Sequence, residues 1–381
     1  MSIWNTWLKH TGTGILGGAT LAEWWKLLRD NEFQIEPRYW PRAVNLTLSA
    51  AVNSLTGRRE ERRFGAAIRR TPIPPPLFVL GAWRSGTTHL FNLLARDHRF
   101  AHPTTYDVVN PHTCLGLAGP GARLLHALAP RTRPMDRMKQ GAWEPSEEDM
   151  AMVPRGMSSM LGLVFPSRRD HYWRYVTLGD LAEDEIEAWR EAYVGFVRRM
   201  SLKYGRPLIL KSPANTGRVA LLLDMFPAAR FVTIHRHPHE IYPSTRHTWE
   251  TTTPWWRLHG GEFDGDMIVR NYGELFDAYF EQRDLIPAGR LHEVAFSDLE
   301  DDPLGTLEDI YESLGLPDFD RARPPIVSYL DSIRGYRRNR LEDVSPVIAS
   351  QLEKNWRRAF DAWGYLARQA EPVTARPAGR P

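Results

Sequence analysis

The sequence predicts an α/β fold of three layers around a central parallel sheet, with helical extensions at both ends. Three observations carry the prediction. Leu77-Phe78-Val79-Leu80 is a short, wholly apolar run, as expected of a strand covered on both faces in a parallel sheet. It leads directly into a glycine-bearing loop and a helix start. Further on, the apolar runs Leu208–Leu210 and Phe231–Ile234 flank one helical segment, and strands so joined lie parallel through a right-handed crossover.

Residues 1–70 read as a helical extension. Trp24, Trp25, Leu27 and Leu28 crowd a helix that ends near Asn31, and a second helix runs from about Trp40 to Leu55 and stops at Gly57. Two readings are open for these helices. They pack on the main domain, or they form a greasy lid, a membrane-facing platform that admits an apolar acceptor. The arginine clusters at Arg58–Arg63 and Arg334–Arg340 read as solvated faces. Thr71–Pro76 is a stiff extended linker opening an α/β core over 71–330.

Within that core, Gly81–Gly86 is loop and Thr87–Leu94 is helix. Residues 101–175, rich in Pro, Gly and Met, read as long loops and short helices around a pocket. Asp180–Tyr204 is a helix whose acidic start (Glu183, Asp184, Glu185) and basic end (Arg198, Arg199, Lys203) suit its dipole. After the strand at Leu208, Asn215 or Thr216 caps a helix carrying Val219, Leu222, Leu223 and Phe226, which Pro227 stops. Beyond Ile234 come a helix from His239 to Trp249, a strand Leu291–Phe296 and a helix Pro303–Leu314 ending at Gly315. A basic segment and a helix within Asp343–Trp363 occupy 331–368, and 369–381 are expected to be disordered.

Composition narrows the function classes. Lys plus Arg total 49 against 46 Asp plus Glu, a net charge of +3, which argues against a protein that coats nucleic acid. The single cysteine, Cys114, excludes an intrachain disulfide, and no Cys/His set has zinc-site spacing; both fit a reducing, cytoplasmic compartment. No basic start followed by an apolar run and small-residue cleavage site opens the sequence, so no cleaved leader is expected. No apolar run reaches the length of a membrane span.

The loop Gly81-Ala82-Trp83-Arg84-Ser85-Gly86-Thr87-Thr88 has phosphate-loop spacing between strand and helix. Its glycines let successive N–H groups point inward, and the helix N-terminus adds positive potential. Ser85, Thr87 and Thr88 add hydroxyl donors. Thr87 stands where nucleoside-triphosphate enzymes carry the lysine that reaches the β/γ-phosphates. The remaining cation is Arg84, so the loop suits a smaller anion held without a metal. A second anion site follows the strand Phe231–Ile234, where Arg236 lies at a carboxyl end and Ser244 eight residues on.

The segments AWRSGTTHL, LILKSPANTGRVALLLDMFPAARFVTIHRHPHEIYPST and SDLEDDPLGTLEDIYESLGLP together resemble a sulfotransferase using 3′-phosphoadenosine 5′-phosphosulfate (PAPS). The resemblance runs from about residue 75 to 320 and points to the bacterial-type branch with a P-loop-containing nucleotide-hydrolase-like fold. It implies that Arg84, Ser85, Gly86, Thr87 and Thr88 hold the 5′-phosphosulfate. Arg236 and Ser244 would hold the 3′-phosphate, with Arg337 or Arg338 covering it or the adenosine. The implied acceptor is a hydroxyl of a small molecule, lipid or carbohydrate, and peripheral contact with a membrane is one setting for it.

In-line transfer needs a base for the acceptor hydroxyl and a cation at the leaving oxygen. Lys211 occupies the family's active-site Lys position and is the cation candidate. Pro213 stands where many members have His, so the base comes from elsewhere. Pro145-Ser146-Glu147-Glu148-Asp149 resembles an acidic segment facing the acceptor, which nominates Glu147 or Glu148; His89, His102 and His235 are reserves. Trp143, Trp173, Trp249, Trp255 and Trp256 line either an apolar or sugar-stacking pocket or the core. The rivals are an ATP-dependent small-molecule kinase, which requires Lys after Gly86, and a non-catalytic nucleotide-binding protein.

Overall fold

The computed structural model describes residues 9–128, 132–133, 135–136, 138–261, 264–337, 339 and 341–365. Four strands, β1 (Leu77–Leu80), β2 (Ile209–Lys211), β3 (Arg230–His235) and β4 (Leu291–Ala295), pair in the order β2-β1-β3-β4, all parallel. Side chains alternate across the sheet, as the two-residue period of a strand requires. Phe78, Leu80, Leu210 and Phe231 enter one apolar core. Leu77, Val79, Ile209, Val232, Ile234 and Val294 enter a second on the opposite face.

Helices cover both cores. The helices Glu183–Tyr204 and Gly265–Gln282 bring Tyr193, Val197 and Tyr279 to the first. The helices Thr87–Leu94 and Pro303–Ser313 bring Leu90, Phe91, Leu307 and Ile310 to the second. The three-layer expectation therefore holds, with the loop after β1 at the middle of the sheet.

Some boundaries differ from those read in the sequence. The second N-terminal helix does not stop at Gly57; it runs from Trp40 to Arg70. Tertiary contacts override the glycine signal: Glu60, buried on this helix, accepts from Leu115 N–H at 3.1 Å and Gly116 N–H at 2.6 Å and pairs with Arg199 at 2.6 Å. Strand β2 lies one residue later than expected, so Lys211 belongs to the strand and aligns with Val79. Asn215 and Thr216 are no simple helix cap. They lie in a short 3-10 turn, Pro213–Gly217, ahead of the helix Val219–Met225. The helix after β3 is longer than expected, Pro238–Trp256. The C-terminal helix is broken into Pro346–Asn355 and Arg357–Ala362 at Trp356, whose buried indole N–H donates to Val269 O at 2.7 Å. The tail at 369–381 lies outside the described residues.

Two glycines make the turn after β1. Gly81 has φ +134°, and a Cβ there would lie 2.3 Å from Ile234 O, a backbone atom of β3. Gly86 has φ +106°, and its Cβ would meet the Phe296 ring at 2.3 Å. Close approach as well as conformation thus requires glycine at both. Gly81→Ala should lower stability by at least roughly 1–3 kcal/mol, read as a lower denaturant midpoint; an unchanged midpoint would show that the neighbouring backbone gives way freely.

Candidate active site

The loop between β1 and the helix Thr87–Leu94 is held from below and from the side. Gly81 N–H donates to Thr216 Oγ1 at 2.8 Å, and Ser85 Oγ donates to Ala82 O at 2.8 Å, so the Ser85 hydroxyl closes the turn itself. The helix begins at Thr87 with no side-chain cap, which leaves the N–H groups of Thr87 and Thr88, both lining the cleft, without a capping side chain. Arg84 takes the left-handed conformation, φ +73°, unusual for a side-chain-bearing residue. This conformation turns its guanidinium toward two distant segments. Arg84 Nε donates to Ser244 Oγ at 2.9 Å, and Nη1 meets Asp136 Oδ2 at 3.2 Å. Arg236 Nη1 reaches Arg84 O at 3.4 Å while its guanidinium pairs with Glu240 at 2.5 Å. Arg84, Arg236 and Ser244, distant in sequence, therefore meet around one loop.

The basic segment after Ile333 approaches the same place. Tyr336 OH donates to Asp136 O at 3.1 Å, and Asn339 Nδ2 to Met135 O at 2.7 Å. Arg337 between them is exposed. Arg338 lies outside the described residues. Asp136 and Arg133, which pair at 3.3 Å beside Arg84, were not singled out in the sequence; they sit in the stretch 101–175, where no periodicity marks them.

The acidic run divides its three carboxylates. Glu147 precedes a 3-10 helix, Glu148–Arg155, in which successive side chains stand about 120° apart. Glu147, extended ahead of the helix, and Glu148 and Asp149 within it face three ways. Glu147 lines the cleft and pairs with Lys211 Nζ at 2.5 Å. Glu148 is 0% exposed and accepts from Lys211 N–H at 2.8 Å, Tyr193 OH at 2.9 Å and Asn215 Nδ2 at 2.6 Å. Asp149 is buried against Arg218 at 2.7 Å and Ser158 Oγ at 2.5 Å. The sequence left Glu147 and Glu148 as equals. The structure separates them: Glu147 faces the cleft, and Glu148 is a core anchor.

Lys211 is 2% exposed, and its Nζ also lies 3.5 Å from Thr88 Oγ1. Burial lowers its pKa from the ordinary lysine value, with Glu147 opposing the shift. The reserve histidines stay out of the cleft wall. His235 stacks on Trp363 at 4.7 Å and bonds Tyr365 OH at 2.6 Å, while burial depresses His89 and His102.

The cleft offers about 830 Å³ of space, part of it open to solvent. Arg84, Thr87, Thr88, Arg133 and Glu147 form its polar side. Met160, Leu163, Trp173, Trp249, Trp256 and Tyr272 supply most of the apolar wall, with the hydroxyls of Ser159, Thr245, Thr248 and Thr252 set among them. Of the tryptophans named from sequence, three line this space. Trp143 is instead exposed beside His126, and Trp255 carries Lys9 over its ring.

Strand, glycine loop and helix at the centre of a parallel sheet define a nucleotide-binding α/β enzyme. A model described as the sulfotransferase family matches residues 75–321. Proteins named omega-hydroxy-beta-dihydromenaquinone-9 sulfotransferase Stf3, from Mycobacterium bovis and Mycobacterium tuberculosis, are each 32% identical over 385 aligned residues, spanning 99% of this chain and 97% of theirs. The solved sulfotransferase STF9 from Mycobacterium avium superimposes with a TM-score of 0.68 at 17% identity, covering 91% of this chain and 96% of its own. STF1 from Mycobacterium tuberculosis gives 0.64 at 18%, covering 91% and 92%. The chain belongs to the sulfotransferase family, and its reaction is the transfer of a sulfuryl group.

Burial pushes the Glu148 carboxyl up to about 7 from 4.5, against the hydrogen bond from Tyr193. Between these values the folded chain keeps a proton that the unfolded chain has lost. The stabilising contribution of that proton is full below about pH 4.5 and is lost as pH rises to about 7. Glu148→Gln should remove this dependence. Across that window the variant should gain on the parent by about 3 kcal/mol in unfolding free energy, measured by denaturant titration at each pH. Parallel profiles would mean that the carboxylate is charged throughout.

Proposed function

We propose that this sulfotransferase carries the sulfuryl group from PAPS to the hydroxyl of an apolar, lipid-like acceptor and releases adenosine 3′,5′-bisphosphate. One observation carries the reading. A single cleft has the phosphate-type loop and Glu147, backed by Lys211, on its polar side, and a largely aromatic and aliphatic wall over the remainder. An acceptor with a long apolar body and one terminal hydroxyl suits such a cleft. The curated relatives, named for an omega-hydroxylated dihydromenaquinone, support the same acceptor class.

In this reading the N–H groups of Gly86, Thr87 and Thr88, with Arg84 and the turn closed by Ser85, cradle the 5′-phosphosulfate. The left-handed Arg84 and the glycine-only contacts fit a group that must approach backbone closely. Arg236 and Ser244 hold the 3′-phosphate, and Arg337 or Arg338 covers it or the adenosine, with Tyr336 and Asn339 anchored beside Asp136 and Met135. Glu147 accepts the acceptor's hydroxyl proton as its oxygen bonds to sulfur and the sulfur–oxygen bond to the 5′-phosphate breaks. The proton neutralises Glu147 just as negative charge develops on the departing phosphate oxygen. Lys211, released from its ion pair, then donates to that oxygen. Thr88, within 3.5 Å of Lys211 Nζ, keeps the ammonium directed at the loop.

Transfer of radiolabelled sulfur from PAPS to a long-chain alcohol tests the reading, and turnover with ATP in its place would reject it. Glu147→Gln should lower kcat by roughly 10²–10⁴-fold with little change in donor affinity. Full turnover in that variant would sink the base assignment. Arg84→Ala should weaken donor binding by about tenfold or more in calorimetry, as loss of a charged hydrogen bond predicts; unchanged affinity would remove Arg84 from the donor site.

A further inference from the structure

The long helix Trp40–Arg70 is turned inside out relative to an ordinary surface helix. Its first half exposes Trp40, Val44, Leu48, Val52 and Leu55, with Leu55 70% accessible. These residues recur at intervals of four and three, so they form one stripe along the outward face. Between Trp40 and Gly57 the sole charged residue is Arg42, and it is buried, donating to Arg257 O at 2.6 Å. Solvent therefore meets an uncharged apolar surface there. The helix Leu21–Asp30 lies alongside, tied by Leu21 N–H to Ser54 Oγ at 2.8 Å and by Trp24 Nε1 to Thr47 Oγ1 at 3.0 Å. It adds exposed Leu21 and Trp25, and Trp25 packs edge-on against exposed Phe33 at 5.3 Å. Contiguous apolar exposure of this kind marks an interaction surface.

The second half of the same helix is basic. Arg58, Arg59, Arg62, Arg63, Arg69 and Arg70 are exposed. At 100° per residue they continue the side that carries the apolar stripe. Of the two acids in this half, Glu60 is buried with Arg199, and Glu61 is bonded to Arg69 at 2.8 Å. The helix has 31 residues, about 46 Å of length. Along it, apolar contact gives way to positive charge with no free acid on the face.

We propose that this face docks the enzyme on an anionic lipid surface, the apolar half entering the acyl boundary and the arginines resting on headgroups. Charge decides the occupant. A second copy packed face to face along the helix would set arginines against arginines or against the apolar half, whereas anionic headgroups complement them. Position supports the same choice. Arg257 donates from Nε to Tyr39 OH at 2.6 Å, next to Trp40, and the preceding Trp256 lines the cleft and lies against Gly14. The apolar stripe thus begins where the cleft wall ends. Among the described residues no helix is long and apolar enough to cross a membrane, so the contact lies in the membrane plane. For its purpose the proposal rests on the lipid-acceptor reading; for its place it rests on this surface alone.

The test is flotation of the full chain with vesicles of phosphatidylcholine and phosphatidylglycerol, compared with pure phosphatidylcholine. The parent should bind the anionic vesicles and lose binding in high salt. Leu48→Gln with Val52→Gln, and separately Arg58→Glu with Arg62→Glu, should each weaken partitioning by about tenfold or more. Both should keep unchanged turnover of a short, water-soluble alcohol. A parent that stays off anionic vesicles, or variants that bind like the parent, would overturn the proposal. So would a parent dimer that both variants convert to monomer without vesicle binding, which would give the face to a second copy. Vesicle binding with no sulfuryl transfer to any lipid alcohol would instead remove the acceptor reading and leave the docking surface standing.

Discussion

Glu148 accepts hydrogen bonds from the Lys211 backbone, the Tyr193 hydroxyl and the Asn215 amide, and the placement of Glu147 and Lys211 follows from those contacts. They join the acidic run to the end of β2, to the helix Glu183–Tyr204 and to the turn Pro213–Gly217. With Glu148 seated, the extended residue ahead of the 3-10 helix leaves Glu147 in the cleft, and the 3-10 turn carries Asp149 onto Arg218. Thr216, in the same turn as Asn215, receives the Gly81 N–H, so the loop is registered to the same anchor. A buried carboxyl with a raised pKa thus acts here through position, adjacent to the carboxylate that lines the cleft.

The loop works by geometry and direction of charge. Glycine at 81 and 86 brings backbone N–H groups close to whatever the cleft holds, and the helix from Thr87 contributes the positive end of its dipole. Side-chain charge comes from Arg84 in the loop itself and, from elsewhere in the fold, from Arg133 in the irregular stretch and Arg236 after β3. Asp136 pairs with Arg84 and Arg133, and Glu240 with Arg236. Such pairing lowers the cost of gathering guanidinium groups in a partly buried cleft. Lys211 and Glu147 follow the same rule, each supplying the charge that makes burial of the other tolerable.

The apolar features form a second continuous system. Trp173, Trp249, Trp256 and Tyr272 line the cleft, the turn at Gly14 abuts Trp256, and Tyr39 and Arg42 lock the long helix to the residue that follows it. The N-terminal helices are therefore fastened to the cleft wall, and their uncovered face is the apolar one. Buried Trp24, Leu27, Leu46 and Ala50 pack inward, while Trp25, Trp40, Leu48 and Leu55 remain outside.

Sequence alone determined the strand–loop–helix unit, the parallel sheet and the family, because these depend on local signals: apolar runs, glycines where the backbone turns left-handed, and a fixed order of motifs. Arg84, Arg236 and Ser244 were singled out on the same local signals, and the fold brings them around one loop. Only tertiary structure decided which of Glu147 and Glu148 faces the cleft, since the choice turns on a 3-10 helix that three neighbouring acids do not announce. It also extended the long helix past Gly57, where Glu60 finds partners more than fifty residues away. Arg133, Asp136 and the cleft's tryptophans became site residues by proximity across the chain, which no spacing encodes. The opening strand and loop could be read residue by residue; the carboxylate that completes them could be chosen only once its neighbours were in place.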